Sequence, residues 1–168
     1  FGPALRAALE DPGISTVVLA AEWANYTAGT RFMDPVSTYD YGPDGQANRD
    51  PAGNPAEFAR AFAATVAAVR AAGKRLVVVE GVPEYDQGLD DLRLPLDRYL
   101  ARNADAVAAF EADRAGITWV RPQDALCRDG FCLPYDDQGL PLYNDGSHLT
   151  ARGLGLVLPD LLQALDLP

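Results

Sequence analysis

The chain has 168 residues, 48% of them apolar, with 14 basic and 24 acidic side chains and a net charge of −10. That suffices for one domain with a sizeable core and excludes a disordered tail. Lys74 is the only lysine and no basic stripe exists, so nucleic acid and anionic membrane surfaces are poor partners.

Phe1 opens directly into an amphipathic stretch with neither initiator Met nor signal peptide, which reads as a piece of something longer. Residues Gly2–Glu10 have helical spacing, with Leu5 and Leu9 on one side and Pro12-Gly13 as the stop. Ser15–Ala21 is apolar, β-branched and without alternation, the pattern of a parallel strand buried on both faces. Thr27–Asn54 is rich in Gly, Pro, Asp and Asn, shows neither period, and is expected to be a long loop, functional or partly mobile. Pro55–Ala72 is predicted as a helix with Asn54 at its cap, a stripe of Phe58, Phe62, Val66 and Val69, and Gly73 at its end. Arg75–Glu80 is the second buried strand, Gly81–Pro95 a loop, Leu96–Ala115 a helix ended by Gly116, and Ile117–Val120 the third strand. Arg121–Asp145 is read as loop. Thr150–Leu165 is the closing helix, capped by Thr150 and kinked or restarted at Pro159. The longest apolar run, around Leu154–Leu158, is broken by that proline and falls far short of the roughly 20 residues of a membrane helix.

This alternation predicts an α/β fold with a parallel sheet and right-handed crossovers, in a single domain over residues 1–168. Three parallel strands leave a sheet edge bare, so one or two further strands are expected upstream, or another cover for that edge.

Cys127 and Cys132 flank Arg-Asp-Gly-Phe, and the turn-forming Asp129-Gly130 can bring the two sulfurs together. A disulfide there closes a short loop worth about 2 kcal/mol and implies an oxidising compartment. Two free thiols are the alternative, as is a mixed zinc site with Asp145 and His148. His148 is the only histidine, which excludes most catalytic zinc sites, and no metal is expected.

Sites in open α/β sheets lie at the carboxyl ends of the strands. Asp145-Gly146-Ser147-His148 falls on that side. Asp and His three apart on one turn let the carboxylate reach Nδ1, fix the tautomer and leave Nε2 as a general base. A plain surface loop before a helix is the competing reading.

The wider string changes the balance. Cys127…Cys132 followed by Gly139-Leu140-Pro141-Leu142-Tyr143-Asn144-Asp145-Gly146-Ser147-His148-Leu149-Thr150 resembles the final block of the SGNH hydrolases. It is most similar to the SGNH domain fused behind the membrane-embedded acyltransferase-3 domain of bacterial O-acetyltransferases. Val17–Tyr26, ending Trp23-Ala-Asn-Tyr26, resembles that group's strand with its Trp-x-x-Tyr, although Glu22 stands where the group often has Arg.

The resemblance implies a flavodoxin-like three-layer α/β/α fold of SGNH type, here a partial domain without its N-terminal strand. It implies Asp145 and His148 as the triad's acid and base, and Trp23 and Asn25 as candidate oxyanion or pocket residues, with Trp23 equally readable as a packed aromatic. The family's Gly-Asp-Ser nucleophile block is absent. Ser15 precedes its strand, Ser147 adjoins His148, and Ser37 lies in a segment with no nucleophile elbow, so the serine is expected upstream. The implied activity is extracytoplasmic acyl transfer, through an acyl-serine, to a carbohydrate hydroxyl. The domain itself would bind no cofactor, and the acyl group would come from acetyl-CoA through a fused or associated membrane domain, which attaches the chain to the inner membrane on its periplasmic side. The rivals are a free-standing SGNH esterase and a catalytically inert glycan-binding or interaction domain.

Overall fold

A computed structural model describes residues 2–32, 34–38, 51–85 and 93–167. In chain order its elements begin with α1 (Pro3–Glu10), β1 (Thr16–Ala20), α2 (Trp23–Ala28), β2 (Thr30–Arg31), β3 (Asp34–Thr38), α3 (Asn54–Ala71) and β4 (Arg75–Val79). They continue with β5 (Leu94–Pro95), α4 (Leu96–Ala112), β6 (Thr118–Val120), α5 (Gln123–Leu126), β7 (Cys127–Arg128), β8 (Phe131–Cys132) and α6 (Ala151–Ala164).

The α/β architecture expected from the sequence is present. The three β-branched segments pair in parallel in the order β1–β4–β6, with Val17 opposite Leu76 and Val79 opposite Val120. Val17, Leu76 and Val78 turn one face of the sheet toward Phe62, Val66 and Val69 of α3 and Ala106, Ala109 and Phe110 of α4. Val77 and Val120 turn the other face toward Ala164, Leu161 and Leu165 of α6. Period-2 alternation thus serves two helical layers from one central sheet.

Burial on both faces holds for β4 but not for β1, where Val18 is 43% exposed. The closing helix lies over β4 and β6, so none of the described helices covers the outward face of β1.

Other differences are local. Thr27–Asn54 is not loop throughout: α2 runs to Ala28, and β2 and β3 pair antiparallel with Thr30 opposite Thr38. Six residues of helix and a two-residue strand are too short to show a period. Residues 39–50 of that segment lie outside the described residues. Asn54 is not the cap of α3 but its first residue, with Gly53 before it. Gly81–Pro95 contributes β5, and Arg121–Asp145 contributes α5 and the β7–β8 hairpin. Pro159 does not break α6, which continues to Ala164. It sits with Gly155 on the exposed side, so the carbonyl that the ring leaves without a donor is not a buried one.

Candidate active site

Asp145 and His148 meet on one turn. His148 Nδ1 lies 2.8 Å from Asp145 Oδ2 and 3.0 Å from Oδ1. Oδ1 also accepts the backbone N–H groups of Ser147 and His148, each at 2.8 Å. This is the local Asx turn that short acidic side chains favour, so the sequence itself preorganises the carboxylate. The two backbone N–H groups, and then the His148 ring, hold the Asp145 carboxyl below its ordinary pKa and keep it ionised at neutral pH. The ring is 76% exposed, and its Nε2 makes no hydrogen bond to a described residue.

The turn is held from both ends. Asn144 N–H donates to the His148 carbonyl at 2.7 Å, and Thr150 N–H to the Leu142 carbonyl at 2.9 Å. The Thr150 hydroxyl accepts from Gly153 N–H at 3.1 Å, capping α6 as its sequence suggests. Below it Tyr143 is buried against Tyr85, with ring centroids 4.9 Å apart. The Tyr85 N–H donates to the Gly146 carbonyl at 2.7 Å, joining the loop after β4 to this turn.

Trp23 and Asn25 open α2, just past the carboxyl end of β1. The Trp23 indole N–H donates to the Val79 carbonyl at 2.7 Å, and its ring packs edge-on against Phe58 and Phe110. Asn25 is buried. Its Oδ1 accepts from Arg102 at 2.8 Å and its Nδ2 donates to Glu22 Oε2 at 2.6 Å. Burial pushes the Glu84 carboxyl pKa up, and the neighbouring Arg102 pulls it back.

Cys127 and Cys132 are joined in a disulfide across the β7–β8 hairpin. Asp129 and Gly130 both have positive φ, 53° and 81°, as the tight turn between them requires. The bonded sulfurs of Cys127 and Cys132 are unavailable to a metal, which removes the mixed zinc alternative. Among the described residues no cluster of His, Cys, Asp and Glu could hold one.

The family model "SGNH domain (fused to AT3 domains)" matches residues 3–163. The chain belongs to that family. Comparison with curated protein sequences finds no match. Among solved structures, the SGNH domain is similar to the periplasmic domain of a lipopolysaccharide acetyltransferase from Salmonella ser. Paratyphi A, at a TM-score of 0.54 and 16% identity. The match covers 90% of this chain and 57% of that one, so the SGNH domain described here spans a little over half of the domain it resembles. The likeness is one of fold.

Sequence reasoning did not find Glu84, Arg102 or the Tyr85–Gly146 contact. Glu84 sits in a loop and Arg102 on a helix face, and neither carries a local pattern. Only the meeting of Arg102 with both Glu84 and Asn25 gives them meaning.

Proposed function

We propose that this SGNH domain is the extracytoplasmic part of a sugar O-acyltransferase, moving an acyl group, most simply acetyl, onto a carbohydrate hydroxyl. The observation that carries the reading is the Asp145–His148 pair, aligned through Nδ1 with Nε2 left open to solvent. The family supports acyl-transfer or ester chemistry, and the Salmonella neighbour is by its description a lipopolysaccharide acetyltransferase domain.

In this reading His148 Nε2 takes the proton of a serine hydroxyl as the serine oxygen attacks the acyl carbonyl, and returns it to the departing group. In the second half it takes the proton of the sugar hydroxyl as that oxygen attacks the acyl-serine carbonyl, and passes it to the departing serine oxygen. Asp145 stays ionised and stabilises the imidazolium. Asn25 has a second N–H beyond the one given to Glu22, a donor for the oxyanion. Trp23 forms the wall beside it.

The serine comes from outside this sequence. Ser15 lies at the amino end of β1, Ser37 within the strand β3, and Ser147 in the Asp145 turn itself. A fused or associated membrane domain supplies the acyl group, ultimately from acetyl-CoA, and tethers the chain to the inner membrane on its periplasmic side. No described helix is itself long and apolar enough to cross a membrane.

The test is acyl transfer by this chain alone and joined to its upstream segment. The joined form should acetylate a glycan acceptor and be labelled by a fluorophosphonate, the chain alone should do neither, and His148→Ala should abolish nearly all transfer. Hydrolysis without transfer would select the esterase reading. An inert joined form with an intact Gly-Asp-Ser would leave His148 a structural residue. Labelling of Ser37 in the short chain would show the nucleophile to be misplaced.

A further inference from the structure

The guanidinium of Arg102 on α4 is shared among Glu84, Asn25 and Thr30, which lie 18, 77 and 72 residues away in sequence. Its Nε donates to Glu84 Oε2 at 3.1 Å, in the loop after β4. Its Nη2 donates to Asn25 Oδ1 at 2.8 Å and to the Thr30 carbonyl at 2.9 Å, at the base of the β2–β3 hairpin. The Phe32 ring, 5.5 Å from the guanidinium carbon, covers it. The ion pair is sheltered, with side-chain exposures of 16% for Arg102 and 11% for Glu84.

A planar fork of fixed donors suits this task in a way a lysine ammonium does not. It also decides which way round the Asn25 carboxamide sits. The oxygen must face the cation and the nitrogen must face Glu22, because the reverse would set N–H against N–H and oxygen against carboxylate. One Asn25 N–H therefore remains uncommitted among the described residues. The residue after Glu84 is Tyr85, whose N–H holds the Gly146 carbonyl within the Asp145–His148 turn.

We propose that Arg102 is a positioning residue: with Glu22 it orients the Asn25 carboxamide, and through Glu84 it ties Asn25 to the loop that seats His148. The kinetic consequence rests on the acyl-transfer reading; the structural one does not.

The experiment compares Arg102→Met and Arg102→Lys with wild type by two readouts. In isotope-labelled protein, Arg102→Met should move the Asn25 side-chain amide signals toward free-asparagine positions. It should also speed Tyr85 N–H exchange about 10-fold or more, leaving Val77 and Val78 protected, with Arg102→Lys intermediate. In the acyl-transferring form joined to its upstream segment, Arg102→Met should lower kcat about 10- to 100-fold with KM within about twofold, and Arg102→Lys should recover part of the loss. Unchanged Asn25 and Tyr85 signals overturn the proposal. So does protection lost equally at Val77 and Val78 in both variants, or a kcat that holds while the signals move. If the wild-type joined form transfers nothing, the acyl-transfer reading fails, and the Asn25 and Tyr85 signals still decide what Arg102 holds.

Discussion

The backbone N–H of Tyr85 donates to the carbonyl of Gly146 at 2.7 Å, so the turn bearing Asp145 and His148 is docked on the loop that leaves β4. The approach is close enough that a methyl group at Gly146 would overlap the Tyr85 carbonyl oxygen. Glycine is there for proximity. Gly146→Ala should lower stability by about 1–3 kcal/mol, the cost of overpacking a tight site, and shift the His148 ring signals. Chemical denaturation with histidine NMR checks both, and an unchanged midpoint would show that the two loops do not depend on each other.

Asp145 governs the acid behaviour of the same turn. Its folded pKa lies below the ordinary aspartate value of about 3.9. A depressed acid contributes stability that is present above the unfolded value and lost as pH falls through the folded one. The Ser147 and His148 amide signals should therefore titrate together, with a midpoint below about 3.9, and Asp145→Asn should remove that transition.

Glu80 is the opposite case. It is 4% exposed at the end of β4, and its Oε1 has no hydrogen-bond partner among the described residues. Gln123 donates to its Oε2; the Tyr99 hydroxyl donates to the Gly81 carbonyl at 2.7 Å and lies 3.3 Å from that same Oε2. Desolvation raises its pKa, partly countered by Gln123. A raised acid contributes stability that is full below its unfolded pKa and is lost as pH rises through the folded one. Glu80→Gln should thus be more stable than wild type above neutrality, by about 1 kcal/mol. The gap should close toward pH 4. Denaturant midpoints at several pH values measure it, and an equal gap at all pH values would refute the ionisation account.

The disulfide fastens β8, and Cys132 pairs in turn with Leu94 of β5. Replacing both cysteines by serine should cost about 2 kcal/mol by the loop-closure entropy of the unfolded chain, and reductant should lower the thermal midpoint of wild type similarly. A melt indifferent to reductant would mean the hairpin is held by its turn alone.

Trp23 and Asn25 should separate by phenotype. The Trp23 N–H is bound to Val79, so Trp23→Phe should cost about 1 kcal/mol of stability and leave kcat of the acyl-transferring form nearly unchanged. Asn25→Ala should lower kcat by about 100-fold if its free N–H serves the oxyanion. Kinetics and melting on both variants decide, and a kcat that Asn25→Ala leaves unchanged would remove the oxyanion role from Asn25.

The amino-acid sequence by itself determined what depends on near neighbours. The stripe Phe58, Phe62, Val66 and Val69 is a helical period, the apolar, valine-rich run Leu76–Val79 a buried strand, and Asp129-Gly130 a turn that joins two cysteines. Asp145 and His148 lie three apart, close enough for one Asx turn to set their contact whatever surrounds it. Tertiary structure decided what depends on meetings across the chain. Which face of β1 stays open follows from where α6 lands, and no pattern in Ser15–Ala21 distinguishes Val18 from Val77. Arg102 and Asn25 are 77 residues apart, on two helices brought together by burial of Phe110 and Trp23 in a shared core. Local periodicity reports which side of an element is apolar. It carries no record of the partner that side will meet, because that is settled by the summed burial of the whole chain.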